Sequence, residues 1–214
     1  MILLSDRRIS AIPLGDNNEP LVDLRRIDGF RVDDRLADPA GAYAHLREET
    51  AARLLTAQRT LPYGLRLLIV EGYRPLTLQT TYFEDYKDEL RQRYPRWEPA
   101  RLHVEASKYV SPPEVAPHST GGTVDLTLCT ADGDELDMGT AVNDSPVASA
   151  NACFTGSPDI SPEARANRDI LGTALSAAGM VNYPTEWWHW SFGDRYWALN
   201  TRADSTRYGP VDLT

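Results

Sequence analysis

The stretch Pro184–Trp190 reads PTEWWHW, so Glu186 and His189 stand among three tryptophans in a chain with only four histidines. Aromatic side chains exclude water, and an ionisable group held among them has either a shifted pKa or a tightly bound partner such as a metal. E-x-x-H alone is a common tetrapeptide, so its partners must come from elsewhere in the chain. HSTGGTVDLTL supplies them: His118 leaves a loop, Asp125 lies on an expected strand, and the Gly121-Gly122 turn between them lets both side chains converge. His118, His189 and Asp125 make a three-ligand set of the type catalytic zinc uses, leaving a fourth position for water. Glu186 is then left over as a base. Bound zinc lowers the pKa of its water to about 7, and a carboxylate within hydrogen-bond reach can take the proton as that water attacks a carbonyl. Arg74, in EGYRP at the exit of an expected strand, carries a permanent charge that can stabilise the oxygen left negative by the attack. Each residue alone also reads as a satisfied histidine, a strand-edge carboxylate or a surface ion pair. The set as a whole points to hydrolysis. His45 and His103 read as structural.

Elements must exist to bring these residues together. Asp38-Pro39 predicts a helix start, with Tyr43, Leu46, Thr50, Leu54 and Leu55 at helical spacing and an end near Leu61-Pro62. The apolar run Leu65 to Val70 predicts a buried strand that exits into EGYRP. A second helix is expected after Pro75, with Tyr82, Phe83, Tyr86 and Leu90 on one face and Tyr94-Pro95 at its end. A short helix around Leu102 to Ser107 leads to VSPPEVAP, expected as an irregular surface loop. GTVDLTL predicts a strand, TADGDE a hairpin turn, and LDM a short return strand. After a long loop from Gly139 to Asp159, Ser161-Pro162 opens a third helix carrying Ile170, Leu171, Ala174, Leu175 and Ala178, with Gly179 as its stop. Strands are expected through WWHWSF and around RYWAL. Helices segregated from hairpin-connected strands predict an α+β class with a central, mainly antiparallel sheet.

A length of 214 residues with 42% hydrophobic content suits a single domain over residues 1–214, since such a chain buries about 70% of its unfolded surface. The net charge of -9 argues against a nucleic-acid partner. The apolar run in MILLSDRRIS is too short for a signal-peptide core, and no stretch approaches the ~20 apolar residues of a membrane span. Cys129 and Cys153 lack metal or redox spacing and read as isolated thiols. A cytoplasmic protein without membrane partners is expected.

HSTGGTVDLTL, LDMGT, EGYRP and EWWHW together resemble, in order and spacing, the D-alanyl-D-alanine dipeptidases of the VanX type. These belong to the M15 zinc peptidases, which also contain D,D-carboxypeptidases. The similar motifs run from about Asp28-Gly29 to Trp190. The resemblance implies one Zn2+ per chain on His118, Asp125 and His189, with Glu186 as catalytic base and Arg74 as transition-state stabiliser. It further implies a small peptide substrate and the α+β fold shared with hedgehog domains and D,D-peptidases.

Three departures from the family pattern fall on the substrate side. Ala116 stands where the family usually has serine, two residues before the first histidine. Where MGT usually continues to Phe-Asp, whose aspartate holds the substrate's ammonium, this chain has Val142-Asn143, with Asp144 one place later. DGF, ending in Phe30, replaces DGY. Phe30, Ala116, Asn143 and Asp144, with Trp188 beside the base, are therefore the candidate substrate-binding residues. Three functions are weighed: a D-Ala-D-Ala dipeptidase, the same zinc hydrolase acting on another small peptide or amide, and a non-catalytic zinc-binding module. Glu186 and Arg74 argue against the last, because a structural zinc site has no use for an unliganded base.

Overall fold

Leu65 to Val70, apolar at nearly every position, forms the second strand of a five-stranded sheet, buried on both faces. The computed structural model describes residues 1–213. In chain order its elements are α1 (Arg7–Ser10), β1 (Leu21–Asp23), β2 (Arg31–Val32), β3 (His45–Arg47), α2 (Glu48–Thr60), β4 (Leu65–Glu71) and α3 (Leu76–Arg93). There follow α4 (Pro99–Ala106), β5 (Thr123–Thr130), α5 (Pro162–Ala177), β6 (Val181–Asn182), β7 (His189–Ser191) and α6 (Arg195–Thr201). The large sheet has the order β2-β4-β5-β7-β6, antiparallel throughout except for the parallel pair β2 and β4, and β1 pairs with β3 in a separate ribbon. The expected α+β class with a mainly antiparallel sheet is the observed one.

Side chains alternate across β5. Val124, Leu126 and Leu128 join Leu67 and Ile69 of β4 in the main core, beneath Leu54 and Ala57 of α2 and Leu171 and Leu175 of α5. Asp125 is left for the opposite face. A bulge between Ile69 and Glu71 sets Glu71, rather than Val70, opposite Asp125, and Asp125 in turn pairs with His189 on β7. Three polar residues thus stand abreast on the sheet face away from the core.

Several expectations are corrected. The first helix starts at Glu48, ten residues after Asp38-Pro39. The Asp38 carboxylate accepts hydrogen bonds from the N–H groups of Ala40 (2.9 Å) and Tyr43 (3.0 Å), holding a turn instead. The chain then pairs as β3, and His45 lies on that strand with its ring Nδ1 2.8 Å from the Gly41 carbonyl. RYWAL is α6 and not a strand, because the Asp194 carboxylate caps it by accepting the Trp197 N–H at 2.7 Å. LDM forms no strand; the hairpin closes with a single bridge between Cys129 and Glu135. VSPPEVAP is irregular, yet Pro112, Val115 and Ala116 are buried, so it does not run over the surface. Pairing in WWHWSF is confined to His189–Ser191. Of the expected α3 face only Phe83 is buried, and Tyr82 is exposed.

The long segment after Gly139 is pinned from below. The buried Arg168 of α5 donates to the carbonyls of Met138 (2.7 Å), Phe154 (2.8 Å) and Ala152 (2.9 Å). Cys129 and Cys153 are free and buried. His103 stacks edge-on against Phe83 and lies 3.1 Å from Glu114, a structural position as expected. Among the described residues no helix is long and apolar enough to cross a membrane.

Candidate active site

His118 sits in a single turn of 3-10 helix, Pro117–Thr120, bounded by two left-handed residues, Ala116 (φ 31°) and Gly121 (φ 71°). A side chain at Gly121 would meet Leu21 Cδ2 at 2.4 Å, and one at Gly122 the Phe192 carbonyl at 2.3 Å. The pair of glycines therefore lets the chain fold tightly from His118 into β5, as their place in the sequence suggested. His118 Nδ1 lies 2.7 Å from the Gly72 carbonyl oxygen, which fixes the proton on that nitrogen and turns Nε2 inward.

His118 Nε2 is 3.4 Å, and His189 Nδ1 3.0 Å, from the same oxygen of Asp125, and all three side chains are buried. One ligand atom from each lies within 4.8 Å of the others. Asp125 Oδ1 has no hydrogen-bond donor aimed at it. A buried carboxylate oxygen without a donor, facing two imidazole nitrogens, is a donor set suited to a divalent cation such as zinc. Burial works to raise the Asp125 carboxyl, but the two histidines outweigh it and hold the group far below the usual carboxylate range. Burial likewise opposes the charge on His118, and Asp125 overcomes it, raising that imidazole.

Glu186 lies one turn before β7, its carboxylate 3.5 Å from His189 Nδ1 and outside the three-atom cluster. Burial pushes its carboxyl up to about 7; Asp125 adds to the rise, while His189 and Arg74 oppose it. A carboxylate poised near neutrality is suited to accepting and returning a proton. Arg74 is fixed by Glu71, whose carboxylate accepts from Nε at 2.7 Å and also from Nη2, and by Gln79, which accepts from Nη1 at 2.8 Å. Burial disfavours the guanidinium charge, but the Glu71 carboxylate more than offsets it.

These residues line one cleft of about 770 Å³, walled by α3, the end of α4 and the segment after Gly139. The five residues expected to do chemistry, Arg74, His118, Asp125, Glu186 and His189, all reach it. Of the candidate substrate residues, Asn143 and Trp188 line it. Phe30 instead packs against the main core. Ala116 is buried and does not line the cleft. Asp144 turns back to accept the Ala141 N–H at 3.1 Å. Glu71 and Gln79, which aim Arg74, and Tyr73, Tyr109 and Tyr183 in the cleft wall were not singled out from the sequence. The acid at the end of a buried apolar strand was the available signal for Glu71.

The chain matches the Peptidase_M15 family, described as D-ala-D-ala dipeptidase, over residues 32–205. It is 28% identical over 224 residues to a D-alanyl-D-alanine dipeptidase of Synechocystis sp., spanning 88% of this chain and 87% of that protein. A D-alanyl-D-alanine dipeptidase of Enterococcus faecalis is 32% identical over 174 residues, spanning 78% of each chain. Among solved structures, the LdcB LD-carboxypeptidase superposes with a TM-score of 0.48 at 19% identity, over 91% of this chain and 78% of that one. The family match, covering most of the chain and every motif of the cleft, makes this protein a metallopeptidase belonging to the Peptidase_M15 D-ala-D-ala dipeptidase family.

Proposed function

We propose that the chain is a single-domain zinc dipeptidase that hydrolyses the amide bond of a small free dipeptide of the D-Ala-D-Ala type. The convergence of His118 Nε2, Asp125 Oδ1 and His189 Nδ1, with Glu186 adjacent but outside the cluster, carries this reading. The three residues would hold one zinc ion, which when bound supplies a Lewis acid for the scissile carbonyl and acidifies water. Glu186 takes the proton from the attacking water on its carboxylate and delivers it to the leaving nitrogen. Three of Arg74's N–H groups are engaged by Glu71 and Gln79, and the remaining donors on the same rigid fork are free to meet the carbonyl oxygen as it becomes negative. Because those partners aim the guanidinium before substrate arrives, little reorganisation accompanies the reaction.

Asn143 favours a second reading, the same chemistry on another small peptide. It lines the cleft without a formal charge, so an ammonium there finds a weaker partner than a carboxylate would give. The two buried free thiols are in keeping with a reducing, cytoplasmic setting. The test joins metal analysis to a panel of D,D-, L,D- and L,L-dipeptides with added zinc. One zinc per wild-type chain, its loss in His189→Ala, and cleavage of a D,D-dipeptide are expected. Unchanged zinc in His189→Ala would refute the ligand set, and a preference for L,L-dipeptides would refute the substrate.

A further inference from the structure

Beside the cleft lies a second groove of about 690 Å³ that shares lining residues with it. Chain neighbours divide between the two: Leu4, Ser145 and Glu186 line the cleft, while Leu3, Pro146 and Thr185 line the groove. Among the described residues, Tyr86 of α3 and Tyr109, just beyond α4, alone line both. Their rings pack edge to face with centroids 5.1 Å apart. The Tyr109 hydroxyl donates to the backbone carbonyl of Asn143 on the far wall at 3.0 Å, and Asn143 holds a left-handed conformation (φ 68°).

We propose that Tyr109 is the partition that ends the substrate cleft and so restricts hydrolysis to short peptides; this rests on reading the cleft as a peptide site. The ring is held at three points, by its own backbone after α4, by Tyr86 and by Asn143, and an aromatic side chain with few rotatable bonds makes a stiff wall. The groove behind it is lined by Leu90, Trp97, Pro146 and Phe154. That lining suits an apolar side chain on a residue added to the dipeptide. Truncating the ring joins the two spaces without touching the metal ligands, Glu186 or Arg74.

The experiment compares the best dipeptide substrate with the same dipeptide extended by phenylalanine at either end. Wild type should strongly prefer the dipeptide. Tyr109→Ala should raise the kcat/KM of at least one tripeptide, relative to the dipeptide, by about 10-fold or more. Tyr109→Phe, which loses the bond to Asn143 but keeps the ring, should retain the wild-type ratio. Should the alanine variant fail to fold by circular dichroism, Tyr109→Leu shortens the wall while keeping an apolar side chain in place. A folded truncation with the wild-type ratio would overturn the partition, as would a wild type that cleaves the tripeptides as readily as the dipeptide. Wild-type inactivity on every peptide would overturn the peptide-site reading itself, a different failure from an unchanged ratio.

Discussion

Replacing Glu186 by glutamine should stabilise the metal-free protein while abolishing turnover. Burial raises the Glu186 carboxyl from 4.5 to about 7, so between those values the folded chain keeps a proton that the unfolded chain has released. A folded-state pKa above the unfolded one means that stability falls as pH rises through this window. The difference of about 2.5 units corresponds to roughly 3 kcal/mol once both states are ionised, near pH 8. Because 13% of the side chain is open to the cleft, water offsets part of this and leaves about 2 kcal/mol. Glutamine keeps the shape without the charge. Urea unfolding of chelator-treated wild type and Glu186→Gln should therefore show the variant more stable by about 2 kcal/mol at pH 8, with the gap nearly closed at pH 4.5. Equal stabilities at both pH values, or a variant weaker at pH 8, would refute the claim that desolvation tunes this carboxylate. Turnover by the zinc-loaded variant should fall by about 100-fold or more, as loss of a general base predicts.

Arg74→Ala should lower kcat by about 100-fold with little change in KM, because the charge it meets develops only in the transition state; steady-state kinetics decide, and a pure KM effect would make it a ground-state binding residue. Asn143→Asp should raise kcat/KM on D-Ala-D-Ala by about 10-fold through a charge-assisted hydrogen bond. Asp144→Ala, which removes a turn contact outside the cleft, should alter thermal stability and leave that specificity alone, and a collapse of D-Ala-D-Ala turnover would show that Asp144 reaches substrate after all. Gly121→Ala should destabilise the fold by about 2 kcal/mol or more in urea titrations, since alanine would be strained at φ 71° and would meet Leu21 at 2.4 Å.

The parts of the fold that were legible are those where one local signal dominates. Leu65 to Val70, a short apolar run β-branched at its end, reads as a buried strand and is one, and Ser161 caps α5 through its own hydroxyl, which accepts the Ala164 N–H at 3.0 Å. Where a distant partner decides, the local signal misled. Leu46 has helical spacing with Leu54, but pairing with Val22 on β1 makes it strand. RYWAL is aromatic enough for a strand, and Asp194 three residues before Trp197 makes it helix. The residues that converge in the cleft were legible because buried polar groups stand out within TVDLTL and EWWHW. Which residues wall the cleft was less legible: Asn143 and Trp188 do and Phe30 and Asp144 do not, because which side of a turn faces the cleft depends on φ values and contacts that spacing does not encode. Glu71 reaches Asp125 only through a bulge, an irregularity that an alternating pattern conceals.

The tryptophans around His189 bear on how the chain finds its native alignment. β7 is three residues long, and so short a strand is prone to slip against its neighbour. A slip by one residue would bring a tryptophan opposite Asp125 and turn His189 toward the hydrophobic interior. Trp190, packed over Gly172 in that interior, has no place on the polar face, and an imidazole there would lack a partner. The bulky neighbours thereby proofread the alignment: a one-residue slip in either direction exposes an indole and strands a histidine. Under the proposed ligand set a mispaired chain also lacks its third metal ligand, so in refolding tight zinc binding should accompany the docking of β7.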